Sequence, residues 1–172
     1  HLCYSKETPI IGSIVLSDDA WNIDISNSLI HIAKSKTSKD KRVIGVVSAV
    51  NTDIMKNIMV NRTLCNVIKN DDGSTKELIL KDEYKTYIDY MVDNNYKEVS
   101  VNSLGEGGIL VCNLNGNIDN GDYLTSSNKA GYAMKQDDDL LHNYTVAKAL
   151  ESVDWSKETT TSKMIACTYH CG

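Results

Sequence analysis

Residues 101–127, VNSLGEGGILVCNLNGNIDNGDYLTSS, decide the fold class. Short apolar runs rich in β-branched side chains (VSVNSL from Val99, GGILVCNL, DYLTSS) alternate with Gly- and Asn-rich breaks at intervals of about eight to twelve residues, the rhythm of short strands joined by tight turns. Asn115-Gly116 is the strongest two-residue hairpin signal in the chain, because a type I′ turn needs positive φ at both central positions. Asn120-Gly121 repeats the device. Further along, Gly131–Met134, Tyr144–Leu150 and Met164–Tyr169 read as three more short strands.

Towards the N-terminus the same rhythm holds. Ile10–Leu16 (IIGSIVL) is β-branched and lies between Pro9 and the turn-like Ser17-Asp18-Asp19. Ile23-Asp24-Ile25 and Leu29–Ala33 (LIHIA) read as a hairpin or meander, and Val43–Val50 (VIGVVSAV) as a central strand. Between Asn51 and Lys97 Gly and Pro nearly vanish, and the stretch is expected to be helical. Leu80, Tyr84, Tyr87, Ile88 and Met91 recur at three or four residues and define one face of an amphipathic helix. Asp71-Asp72-Gly73-Ser74 is a turn signature, and Asp53–Val60 allows a shorter helix. The sequence therefore predicts a single domain over 1–172. It is mainly β, a compact sandwich- or barrel-like antiparallel sheet of at least eight short strands, with a helical insertion at about 51–97.

A chain of 172 residues fits one core burying roughly 70% of the unfolded surface. Apolar and charged fractions of 41% and 24% are those of an ordinary soluble protein. The net charge of −5 and pI near 5.3 speak against a broad grip on nucleic acid, since such binding rests on neutralising phosphates. The basic cluster Lys34, Lys36, Lys39, Lys41 and Arg42 reads as a solvated turn. No apolar run approaches the roughly eighteen residues of a membrane span, so no membrane contact is expected. His1–Thr8 lack the pattern of a secretory signal, and the chain reads as a piece of something longer. The five cysteines (Cys3, Cys65, Cys112, Cys167 and Cys171) are scattered and odd in number, which favours a reducing compartment. Cys112 reads as a small buried hydrophobe.

Three clusters qualify as candidate chemistry. Glu106, flanked by Gly105, Gly107 and Gly108, is the carboxylate a substrate backbone approaches most easily, as a general acid or base; the alternative is a turn residue capping neighbouring amides. Asp137-Asp138-Asp139 with His142 suggests a cation site or an acid–base pair, against a solvated acidic turn, because the Gly and distant Glu of an EF-hand loop are missing. Cys167, His170 and Cys171 raise zinc, but they form a single C-x-x-x-C without a second pair. In a strand, moreover, residues 167 and 170 face opposite ways. No metal or cofactor is expected. The nucleophile-elbow, P-loop, dinucleotide and H-E-x-x-H motifs are all absent.

The segments 101–127, 131–150 (GYAMKQDDDLLHNYTVAKAL) and 166–172 (ACTYHCG) resemble the C-terminal domain of virion fibre, tail-spike or neck-appendage proteins of marine tailed phages and large DNA viruses. Arg42–Val50 (RVIGVVSAV) is similar to that domain's central strand. The resemblance covers about half the chain. It implies an intramolecular chaperone that assembles a homotrimer, lets the upstream fibre shaft of the same polypeptide fold, and in related appendages leaves by autoproteolysis of a glutamic-peptidase type. On that reading the location is the virion, or the host cytoplasm during assembly. Glu106 is the catalytic candidate for a single-turnover cut, without conventional multiple turnover. The D-x-x-E pattern of cleaving relatives is missing from His1–Glu7, and the 51–97 stretch looks like an insertion. The physical logic is independent of the resemblance: a thin fibre folds slowly through contacts between chains, and a trimeric module raises the shafts' effective concentration. Two competing readings are a virion-surface knob that stays attached and binds a host receptor, and a cytosolic enzyme built around Glu106.

Overall fold

The computed structural model describes residues 1–54 and 64–171. It is mainly β and barrel-like, as the sequence predicts, but with two closed barrels. The strands of the N-terminal half are β1 (Leu2–Ser5), β2 (Ile14–Asp24), β3 (Asn27–Lys34) and β4 (Val43–Asn51). The insertion contributes β5 (Cys65–Lys69), β6 (Thr75–Leu80) and α1 (Asp82–Asp93), and the chain returns through β7 (Lys97–Asn102). The C-terminal half holds β8 (Leu104–Cys112), β9 (Tyr123–Ser126), β10 (Ala133–Lys135), β11 (Thr145–Ala149) and β12 (Ser162–His170).

The first barrel runs β1-β3-β2-β4-β7 and the second β10-β8-β12-β11-β9, each closing on itself. Five strands cannot alternate direction all the way round a closed ring, so one pair in each barrel must be parallel. Those pairs are β1 with β3 and β8 with β10. The other barrel pairs are antiparallel, as the sequence predicts, and these two seams are the departure from it.

Alternation places one apolar set inside each barrel. Cys3, Val15, Ile32, Val47, Val99 and Val101 fill the first. Ile109, Val111, Leu124, Val146, Ile165 and Cys167 belong to the second, and Ile14, Val43 and Val46 from the first barrel join that cluster, so apolar packing continues from one barrel to the other. Backbone bonds stitch them together: Ile14 N–H donates to Gly131 O, Gly131 N–H to Ser35 O, and Cys171 N–H to Ser103 O. The Lys34–Arg42 segment is correspondingly more than a solvated turn. Ser35 and Asp40 are buried, Asp40 N–H donates to Ser126 Oγ of the second barrel, and the Ser126 hydroxyl donates to Thr37 O.

The insertion contains the predicted helix, with Tyr84, Ile88 and Met91 packed on Tyr4 and Leu29 at the outside of the first barrel. Asp82 and Glu83 sit in its first turn, where the helix dipole favours negative charge. It also contains a hairpin that the helical expectation missed. β5 and β6 pair antiparallel around Asn70–Ser74, where Gly73 takes φ +84° and Asp72 accepts from Ser74 N–H. The turn signature was visible, yet it joins two strands instead of preceding the helix directly. The helix expected over Asp53–Val60 lies mostly outside the described residues.

Asn115-Gly116 also departs from expectation. Gly116 has φ +84° and its N–H donates to Asn113 O, so the turn exists. However, β8 and β9 are not paired with each other. The buried Ile118, bridged to Val153, carries the chain across the barrel end instead. The Asn115 amide also bonds away from the turn, donating to Lys135 O and Asp137 Oδ1.

Candidate functional site

The most organised polar feature is the loop between β10 and β11. Gln136 follows β10 directly and is buried. Its side-chain amide donates to Asp138 O (3.1 Å), Asp138 Oδ1 (2.9 Å) and Leu140 O (2.7 Å), while its Oε1 accepts from Thr145 Oγ1 at 2.6 Å. Thr145 Oγ1 in turn accepts from His142 N–H at 2.9 Å. One buried amide and one buried hydroxyl thus close a loop that would otherwise fray. Both are polar groups that burial forces to find partners.

This frame positions the charged residues. Asp138 and His142 come together: His142 Nε2 lies 3.0 Å from each carboxylate oxygen, and its ring stacks on Tyr144 at 4.5 Å and 19°. The bond from His142 holds the Asp138 carboxyl below the ordinary carboxylate range, helped by Leu140 N–H. Asp137 points to a different partner, Lys39 Nζ at 2.6 Å. That ion pair lowers the Asp137 carboxyl, with help from the Asn115 amide, and raises the Lys39 ammonium. Lys39, Asn115 and Asp137 line a cavity of about 380 Å³ between the Lys34–Arg42 segment and the second barrel. Each of these charges is already matched, so the arrangement fixes one loop against the other.

Glu106 stands apart from this loop. It is exposed within β8, opposite Thr168 of β12, and is therefore a strand residue and not a turn cap. Gly107 and Gly108 serve packing, whereas Gly105 faces open space at φ +92°. A side chain at Gly107 would overlap the Tyr169 hydroxyl, which donates to Gly108 O, and one at Gly108 would press on Met164 Sδ. Cys167 and His170 take opposite sides of β12, as the strand period requires. Cys167 is fully buried in the second barrel, whereas His170 Nε2 lies 3.3 Å from Thr168 Oγ1. Burial pushes the Cys167 and Cys171 thiols up to about 12. Among the described residues, no three His, Cys, Asp or Glu side chains gather as a metal site needs. No described helix is long and apolar enough to cross a membrane.

Sequence reading found the Asp138–His142 pair by proximity in the chain and missed Gln136 and Thr145, which build the loop. No local pattern marks them: Gln136 lies just past the end of β10, out of step with the inward Ala133, and Thr145 sits at a register bulge of β11. Compared with known proteins, the chain matches no protein-family model, and no curated protein matches it.

Proposed function

We propose that this chain is the C-terminal chaperone and trimerisation module of a viral fibre or appendage protein, acting on copies of itself and on the shaft of its own polypeptide. The observation that carries the reading is an apolar strip on the outer face of the second barrel. Ile109 and Val111 of β8 and Ile165, Cys167 and Tyr169 of β12 point inward, so Gly108, Leu110, Met164 and Ala166 between them face out. Met164 is 45% exposed, and Ile10 and Ile11 lie beside it at 60% and 56%. They reach this face because Gly12 abuts Met164 and Leu110, with Leu110 N–H donating to Gly12 O. Contiguous apolar surface of this kind marks association sites, and three copies of one face closing a ring satisfies the symmetry of a homo-oligomer.

The reading is tested with the double variant Ile11→Glu, Met164→Glu. Both positions are exposed, so the circular dichroism spectrum should stay that of the wild type while the oligomer falls to monomer. An unchanged oligomer removes the strip from the account. Running the full parent on a denaturing gel separates chaperone from attached knob, since a released fragment of this size supports the first and an intact chain the second. Glu106 remains the proposed carboxylate for such a cut: Glu106→Gln should abolish the fragment, and a fragment released unchanged excludes it.

A further inference from the structure

The first barrel carries an aromatic cluster that assembly does not use. Trp21 on β2 packs edge-on against His31 on β3 (centroids 4.2 Å apart) and against Tyr87 and Tyr90 of α1 at 5.2 and 5.3 Å. Tyr96, just before β7, completes the group 5.0 Å from His31. His31 is buried, yet its Nε2 has no hydrogen-bond partner. A buried polar atom in that state costs about 1–3 kcal/mol, and native proteins keep few of them.

His31, Ala33 and Tyr96 line a pocket of about 200 Å³, reached also by Ile32 between them in β3, with a rim of the exposed Lys6, Glu7 and Asp18. Asp18 reaches the rim because the β2–β3 register slips between Ser17 and Asp19, and such bulges re-aim side chains. Lys6 Nζ rests 5.5 Å from the Tyr96 ring centroid. The volume is below the roughly 300 Å³ at which pockets begin to hold drug-sized ligands, so it takes a single ring. Both charge signs stand on the rim, so a ligand of net charge meets its like. An uncharged polyol with one C–H face instead uses every group present: a ring wall, an ammonium donor, two carboxylate acceptors and an imidazole nitrogen.

We propose that this pocket binds one neutral pyranose ring, the terminal sugar of a glycan, stacked on Tyr96 with a hydroxyl bonded to His31 Nε2. Entry requires the exposed Lys6 side chain to swing off the Tyr96 ring and donate to the ligand. This binding is independent of self-assembly and would be compatible with either a released module or an attached knob.

The test uses the two indole N–H signals of the ¹⁵N-labelled chain. Trp155 is an internal control, because its Nε1 donates to Gly116 O in the second barrel. Titration with methyl glycosides of galactose, glucose, mannose and N-acetylglucosamine to tens of millimolar should move the Trp21 indole and the His31 ring signals saturably with at least one sugar, leaving Trp155 still. The exposed-site double variant Glu7→Gln, Asp18→Asn should weaken that sugar at least about tenfold, as loss of two charge-assisted bonds implies. The proposal is overturned by no saturable Trp21 shift with any glycoside, by equal shifts at Trp155, by undiminished binding in the double variant, or by a response to tetramethylammonium or glycine in place of the sugars.

Discussion

Replacing Gln136 by Leu removes the hub of the β10–β11 loop while keeping its volume. Four hydrogen bonds go, but they do not count equally. Asp138 and Leu140 are exposed, so water can replace the amide at their oxygens. Thr145 is buried, and its hydroxyl loses its acceptor while still accepting from His142 N–H. An unsatisfied buried donor costs about 1–3 kcal/mol and the bond to the charged Asp138 about another 1, so the expected loss is about 2–4 kcal/mol. At this chain length that lowers Tm by about 5–15 °C. Calorimetry gives Tm, and hydrogen exchange at the Leu140 and His142 amides locates the change. Gln136→Glu adds a sign test: its carboxylate would face Asp138 and two carbonyl oxygens, so it should be worst near neutral pH and recover towards wild type as it protonates. A Tm loss under about 2 °C with unchanged exchange would show that the loop holds without its hub, and the reasoning would be wrong.

Other outcomes follow from the same geometry. Burial holds the His31 imidazole below its ordinary value of 6.5, partly opposed by Asp18 and Asp19 and aided by Lys6. Its neutral form therefore contributes stability that is full above about 6.5 and is lost as pH falls through the lower folded value; His31→Phe should flatten that part of a urea-midpoint-versus-pH curve. Gly45→Ala places a methyl against Asn102 O and Val101 Cγ1 near the start of β4 at φ +157°, and urea midpoints should report about 3 kcal/mol lost, the upper end for overpacking. Burial raises the Cys3 thiol to about 11 and Cys167 and Cys171 to about 12, so thiol titration at pH 8 should give substoichiometric colour from the native chain and all five cysteines in denaturant.

Where a period repeats, the sequence was legible. VIGVVSAV and GGILVCNL became β4 and β8 because their β-branched residues fill barrel interiors, and Tyr84, Ile88 and Met91 became the buried face of α1, while Leu80 of the same stripe ends β6 instead. Ile10–Leu16 was half right. Positive φ at Gly12 bends the first part into a turn, and β2 begins only at Ile14. What local reading could not supply was partnership at long range. Asn115-Gly116 looks like a hairpin until Ile118 finds Val153, and Cys65–Lys69 looks helical by composition until the Asp-Gly turn folds it onto β6. Closure into two barrels, each with its parallel seam, depends on such distant pairings. The candidate site was legible only as Asp138 with His142, because Lys39, which pairs with Asp137, lies nearly a hundred residues away in sequence and Gln136 acts through burial that no local pattern shows.

Sedimentation velocity at tens of micromolar tests the assembly claim most directly. The account predicts a species near three times the 19.1 kDa chain mass, reduced to one chain by Ile11→Glu, Met164→Glu. A wild-type chain sedimenting as a 19.1 kDa monomer at that concentration would contradict it.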